Sequence, residues 1–224
     1  MPSGNTSFRQ HKLYCKRSKC HLFQSQVSYL GHVVSANGIA VDKHKIEAIA
    51  AWPKPTTVTE LRAFLGLAGF YRRFVPHFAA LAAPLTDLTS NKADVVAGWS
   101  SPHDAAFASL KAALTNTPCL IPFHPGAPTT LTTDASDLAI GAVLMQDVGN
   151  GPQPVAFNSR KLSPAERNYA THEKEALAIK DSLKVWRHYL MGMHFTCITD
   201  HHALRYLTTQ PTISQRQARW MQLM

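Results

Sequence analysis

Acidic residues are scarce in this 224-residue chain: 14 Asp and Glu stand against 23 Lys and Arg, a formal net charge of +9 with His neutral. That excludes an acidic interaction tail and favours polyanionic partners, either nucleic acid or an anionic membrane surface. Long apolar runs are missing too. No stretch approaches the roughly 18 apolar residues of a membrane span, and Met1 to Gln10 is polar where a secretory leader would have an apolar centre. The expectation is a soluble intracellular protein, cytoplasmic or nuclear, with no membrane partner. Cysteine is sparse. Cys15 and Cys20 are spaced more widely than a Cys-x-x-Cys pair, and Cys119 and Cys197 lie far from both, which predicts reduced thiols rather than a disulfide framework or zinc knuckle. What the chain does have is 45% hydrophobic residues, enough for a real core and too many for low-complexity disorder over most of its length.

The basic surplus is uneven. Residues 1–90 hold 11 Lys/Arg and 4 Asp/Glu, a net +7, whereas residues 91–224 hold 12 and 10, a net +2. Residues 1–20 are polar and aperiodic, which predicts a poorly ordered segment. A polar, irregular stretch from Asn91 to Pro102 around Trp99 marks a boundary, dividing the remainder into 21–90 and 91–224.

In the first unit, Gln26 to Val34 alternates, and Asn37-Gly38 leads into Ile39 to Val41, the pattern of a small hairpin. Asp42 is suited to cap a helix over Lys43 to Trp52 with Ile46, Ile49 and Ala50 on one stripe, stopped by Pro53 and Pro55. Thr57-Val58-Thr59-Glu60 has capping-box spacing, and Leu61, Phe64, Leu65 and Ala68 follow at helical period. Gly66 and Gly69 within that helix suggest close backbone approach. Arg62, Arg72 and Arg73 sit in and just after it, either as a solvated face or as phosphate contacts.

The second unit opens with a helix from Ser101-Pro102 through Phe107, Leu110, Ala113 and Leu114. Strands are predicted over 129–135, 140–146 and 154–159 as an antiparallel meander. A long helix then runs from Ser163-Pro164 to about Leu190 on the stripe Tyr169, His172, Ala176, Ile179 and Leu183. A strand over 194–199 and a short helix over 203–207 complete the pattern. A helix before the last strand lets that strand lie parallel to the first by a right-handed crossover.

That layout makes three acids interesting. Asp134 lies near the end of the first strand of the meander, Glu175 is on the long helix and Asp200 ends the last strand, so parallel pairing would bring the two Asp together and a helix crossing that sheet could aim Glu175 at both. Crowded carboxylates resist ionisation unless cations neutralise them, and hard oxygen ligands suit Mg²⁺ or Mn²⁺. The bland alternatives are a turn or cap role for each Asp and a surface ion pair for Glu175, with Glu173 as a rival ligand on a different helix face. His201 and His202 are adjacent, point apart and lack partners at metal-site spacing.

Several strings in order along the chain carry a resemblance: YLGH (Tyr29 to His32), WPKP (Trp52 to Pro55), LRAFLGLAGFYRRF (Leu61 to Phe74) and AAPL (Ala82 to Leu85). They continue as TDAS (Thr133 to Ser136), IGAVL (Ile140 to Leu144), NSRKL (Asn158 to Leu162), EKEALAI (Glu173 to Ile179) and TDHH (Thr199 to His202). From about Lys19 onward the chain resembles the reverse transcriptase and ribonuclease H portion of gypsy-type LTR retrotransposon Pol polyproteins. The resemblance implies an α/β fold, with an α+β region like the palm end and helical thumb over 21–90. An RNase H-like mixed sheet with helices follows over 91–224, truncated before its last strand.

It further implies metal-dependent endonucleolytic hydrolysis of RNA in RNA/DNA hybrids as part of RNA-directed DNA synthesis. Asp134, Glu175 and Asp200 would be catalytic and metal-binding residues for two Mg²⁺ or Mn²⁺ ions, and Arg62, Arg72 and Arg73 nucleic-acid contacts. Two departures accompany it. The Tyr-x-Asp-Asp pair of a polymerase site does not occur, since Asp42 and Asp87 are the only Asp residues before Asp94, so a polymerase portion would be a partner. The family's Ala-Asp-x-Leu-Ser segment with a fourth carboxylate also does not occur by Met224, which leaves a catalytically inactive remnant that binds nucleic acid as the alternative.

Overall fold

The computed structural model describes residues 23–90 and 95–200, with isolated positions between 11 and 20. The expectations for residues 1–10, for His201 and His202, and for the helix over 203–207 lie outside the described residues.

The first unit begins with a three-stranded antiparallel sheet, β1 (Gln26–Tyr29), β2 (His32–Ser35) and β3 (Gly38–Val41), in that order. The alternating run 26–34 is thus two strands, because Leu30 and Gly31 both take positive φ, 49° and 78°, and turn the chain. The Tyr71 hydroxyl donates to the Gly31 carbonyl at 3.1 Å, and His32 stacks on Phe70 and Phe74, which ties this turn to the helices behind it. Gly38 is a required glycine. Its φ is +124°, and a Cβ there would lie 2.3 Å from the Leu120 carbonyl oxygen.

Three helices and a 3₁₀ turn follow. α1 (Lys43–Ala50) is capped by Asp42, which accepts from the His44 amide at 2.9 Å; Ile49 is buried and Ala50 is exposed. α2 (Val58–Phe70) is capped by Thr57, whose hydroxyl accepts from the Glu60 amide at 3.2 Å. The reciprocal half of the expected box is displaced by one residue, since the Glu60 carboxylate accepts from the amide and hydroxyl of Thr56 instead. Leu61, Phe64 and Ala68 are buried as the stripe requires, but Gly66 and Gly69 have nothing within 4 Å of a Cβ position, so they do not mark a close approach. The 3₁₀ turn Arg72–Phe74 leads into α3 (Phe78–Ser90), a helix outside the elements expected above, with Pro84 in its interior.

After a short turn of helix, α4 (Val95–Gly98), comes α5 (Ser101–Thr115). Its buried Ala106, Phe107, Leu110 and Leu114 join the same core as Leu61, Phe64, Phe74 and Leu85, and Phe107 packs on Phe64 with ring centroids 4.7 Å apart. Among the described residues of the polar stretch, Val95 is buried in this core and Trp99 packs against it, so α3 and α5 on either side share one core.

The second sheet has the order β6-β5-β4-β7, from β4 (Thr129–Ala135), β5 (Ala139–Asp147), β6 (Pro152–Lys161) and β7 (Thr196–Thr199). β4, β5 and β6 form the antiparallel meander, and β7 pairs parallel to β4. The expected long helix is three pieces: α6 (Pro164–Arg167), α7 (Thr171–Val185) and α8 (Arg187–Leu190). A capping box between Ser163 and Glu166 closes α6 on itself, so α7 starts independently at Thr171, and its buried run is Lys174 to Ala178 rather than a stripe through the exposed His172.

β6 separates two surroundings by strand alternation. Asn158 and Arg160 reach Asp181 on α7, while Phe157, Ser159 and Lys161 face the first unit. There the Ala79 amide donates to Ser159 Oγ at 2.8 Å and Lys161 pairs with Asp87.

Because α5 belongs to the first core, Leu110→Ala removes a side chain with no exposure from the packing of α1, α2 and α3. The expected cost is about 2–5 kcal/mol. Urea unfolding followed by the fluorescence of Trp52 and Trp99, which line that core, measures it; a midpoint equal to wild type would contradict the shared core.

Candidate metal centre

The parallel register of β4 and β7 pairs Thr133 with Thr199, so the residues that follow, Asp134 and Asp200, emerge side by side at the same end of the sheet. α7 packs on β4 and β5 and presents Glu175 to that end. One carboxylate oxygen from each of Asp134, Glu175 and Asp200 lies within 4.8 Å of the others, with the two Asp exposed and Glu175 buried. Glu173, two positions away on the helix, is not in this group among the described residues.

Glu175 is held firmly. Its Oε1 accepts from the Ala135 amide at 3.0 Å, while its buried Oε2 has no hydrogen-bond partner. Burial, then the charge of Asp200, push its pKa up to about 7; Asp134 adds to the rise, and the Ala135 amide pulls the other way. A buried carboxyl held protonated toward neutrality beside two exposed acids is a group whose charge a nearby cation could stabilise. The donor set is all oxygen, which suits a hard divalent ion.

The turn that follows Asp134 is built to stay in place. Ser136 Oγ accepts from the Ala139 amide at 3.0 Å. Lys174, immediately before Glu175 and almost fully buried, donates to Asp137 Oδ1 at 2.7 Å. That bond holds the Asp137 carboxyl below its usual range.

The arginines fall in two places. Arg62 is exposed on α2 and donates to the Thr89 carbonyl at 3.0 Å, near the end of α3. Arg72 and Arg73 are exposed on the 3₁₀ turn, anchored by the fully buried Phe74. They line a groove of about 220 Å³ whose other wall includes Phe157, Asn158, Trp186 and His188. Phe157 also lines a smaller hollow of about 110 Å³ that reaches Asp134, Thr132 and Gly141. One member of that hollow, His77, carries no signal in the sequence pattern: it precedes α3 and belongs to no stripe or motif pair.

Residues 124–224 match the model of the RNase H-like domain found in reverse transcriptase. The chain is 38% identical over 215 residues to the Retrovirus-related Pol polyprotein from transposon 297 of Drosophila melanogaster, covering 96% of this chain and 20% of that one. It is 37% identical over 213 residues to the Transposon Tf2-3 polyprotein of Schizosaccharomyces pombe, covering 93% of this chain and 16% of the relative. It thus spans about a fifth or less of the length of these curated relatives. In fold it is similar to the foamy viral protease-reverse transcriptase in complex with dsDNA, with TM-score 0.77, 22% identity, and coverage of 92% of this chain and 44% of that one. The same viral protein in complex with RNA/DNA hybrid gives TM-score 0.72 at 22% identity, over 92% of this chain and 28% of that one. The three acids therefore stand in the stretch that matches the RNase H-like domain found in reverse transcriptase, within a chain similar to one part of transposon Pol polyproteins.

Proposed function

We propose that this chain is a stretch of a gypsy-type LTR retrotransposon Pol polyprotein whose second half cuts the RNA strand of RNA/DNA hybrids with Mg²⁺ or Mn²⁺. In this reading residues 21–90 are the palm end and thumb that hold the duplex, and the polymerase portion of the polyprotein is the natural protein partner. The observation that carries it is the convergence of Asp134, Glu175 and Asp200 within 4.8 Å inside an RNase H-like domain. The hybrid in a similar fold's complex and the basic groove beside the sheet support the choice of substrate.

Asp134, Glu175 and Asp200 would hold the ions, in the complete domain two of them. The metal, when bound, lowers the pKa of a water and offsets charge on the leaving oxygen. The chain's own part is positional. Strand pairing fixes the two Asp at one end of the sheet, the Ala135 amide fixes the Glu175 carboxyl, and the loss of its proton readies that carboxyl as a ligand. Arg72 and Arg73 would bear on phosphates of the duplex, which positions it without reading its sequence. Arg62 is the third candidate, on a separate element and partly engaged with Thr89.

Hybrid cleavage with Mg²⁺ is expected from the wild type and reduced roughly a hundredfold or more in Asp134→Asn, since metal-borne charge stabilisation supplies several kcal/mol at 1.36 per tenfold. Equal rates from both proteins would sink the nuclease assignment, and binding without cutting by the wild type would favour the inactive-remnant alternative.

Glu175 links metal to pH. Without metal, the folded chain keeps the Glu175 proton between about pH 4.5 and 7 while the unfolded chain has released it, so stability falls as pH rises through that window. Metal needs the deprotonated carboxylate, so the rise in melting temperature caused by Mg²⁺ should grow from pH 6 to 8. Glu175→Gln should flatten both trends; a Mg²⁺ effect of unchanged size and slope in that variant would exclude Glu175 as a ligand.

For the arginines, Arg72→Ala with Arg73→Ala should weaken hybrid binding and lower the slope of log K against log salt by about 1 to 2. An unaltered slope would remove them from the interface.

A further inference from the structure

His77 reaches the nuclease site from the other unit. It lies between Pro76 and the start of α3, and its Nδ1 is 3.7 Å from Asp134 Oδ2, with the two side chains 58% and 53% exposed. That distance is too long for a hydrogen bond, and His77 is not among the grouped metal-ligating atoms. The ring therefore borders the acids without being consumed by them.

Three features show that its place is built. First, its φ is +50°, a left-handed conformation that costs a non-glycine residue free energy and that the surrounding structure must enforce. Second, β5 leaves room for the ring. A Cβ on Gly141 would sit 3.0 Å from His77 Nδ1, closer than such contacts normally come, so the strand partner of Asp134 is the one residue type that admits the imidazole unhindered. Third, the segment is tied down on both sides: Phe74 and Val75 are fully buried before it, and the Ala79 amide donates to Ser159 Oγ after it. The ring forms a wall of the hollow that contains Asp134, and that hollow meets the Arg72 and Arg73 groove at Phe157.

We propose that His77 is a substrate-positioning residue of the nuclease site, supplied by the N-terminal unit, whose ring N–H donates to the sugar–phosphate backbone of the hybrid strand passing Asp134. The proposal rests on the function given above and adds to it the residue that couples the two units at the cutting point. An imidazole carries at least one N–H donor in every tautomer, and phosphate and ribose oxygens are acceptors. Such a contact sets the register of the strand without reading its bases.

The test uses the full chain and a fluorescently labelled RNA/DNA hybrid in EDTA, with anisotropy as the readout. His77→Gly removes the ring and tolerates the backbone conformation, His77→Asn keeps a donor on a residue that also accepts positive φ, and Gly141→Ala pushes the ring with His77 intact. We expect about tenfold weaker binding for His77→Gly, the loss of one hydrogen bond to a charged group. His77→Asn should recover to within about threefold of wild type, and Gly141→Ala should fall between His77→Gly and wild type, with melting temperatures of the His77 variants unchanged or raised. Wild-type affinity in His77→Gly, or no recovery in His77→Asn, overturns the proposal, as does a wild type that does not bind hybrid. Should His77→Gly not fold, wild-type affinity in Gly141→Ala overturns it. Cleavage with Mg²⁺ separates the two ideas. An Asp134→Asn variant that cuts like wild type removes the nuclease reading whatever His77 does, whereas wild-type hybrid affinity in His77→Gly, with Asp134→Asn impaired in cutting, removes only the His77 contact.

Discussion

Like charges must be held together at this site, and the cost of doing so organises the sheet around it. Two exposed carboxylates at this separation repel by only about 1 kcal/mol in water. Asp134 and Asp200 are exposed and can be neighbours cheaply. A third charge brought in under cover is another matter, because it loses hydration as well as meeting two like neighbours. The protein resolves this by burying Glu175 and letting it keep a proton up to about pH 7. On the function proposed above, the three carboxylates would form a full ligand set once a cation displaced the Glu175 proton.

That arrangement needs a framework that does not relax the repulsion by moving apart. The parallel β4–β7 pair supplies it through backbone hydrogen bonds, and the buried Lys174 to Asp137 contact fixes the turn beyond Asp134. The first unit adds rigidity from the opposite side. Leu120 exchanges backbone hydrogen bonds with Ile39 on β3, at 2.7 and 2.8 Å, and the next residue, Ile121, donates to Pro154 on β6 at 3.0 Å. Two adjacent residues thus stitch the small sheet to the large one, Leu120 buried in the first core and Ile121 in the second. With Phe157, Ser159 and Lys161 of β6 also facing the first unit, the basic turn and the acids are parts of one packed body.

Much of this was legible from residue order. Alternation and breaks located β4, β5 and β6. The helix inserted before β7 implied the parallel crossover, and that crossover alone brought Asp134 and Asp200 together. Elements with conflicting local signals were harder. The run 26–34 offers a lone Gly31 as its break, and Leu30 before it is not a residue that advertises a turn, yet both take positive φ where Tyr71 grips the Gly31 carbonyl. The stripe from Tyr169 to Leu183 hides a real break, because a capping box at Ser163 satisfies only one turn of helix before α7 begins again. The placement of α5 was illegible for a different reason. Its apolar face is equally suited to either unit, and only three-dimensional packing puts Phe107 on Phe64.

His77 shows where residue order stops being informative. Its relation to Asp134 spans two units, belongs to no period, and depends on a missing side chain at Gly141 as much as on the one present. A glycine in a strand ordinarily weakens it, through lost packing and greater chain entropy. In β5 the weakness has a local return: the vacancy opposite Asp134 is occupied by a ring from another unit, in a backbone conformation that a free chain would seldom visit. Strain at His77 and absence at Gly141 are each unfavourable alone and consistent together, which is the signature of a position set by contact rather than by local propensity.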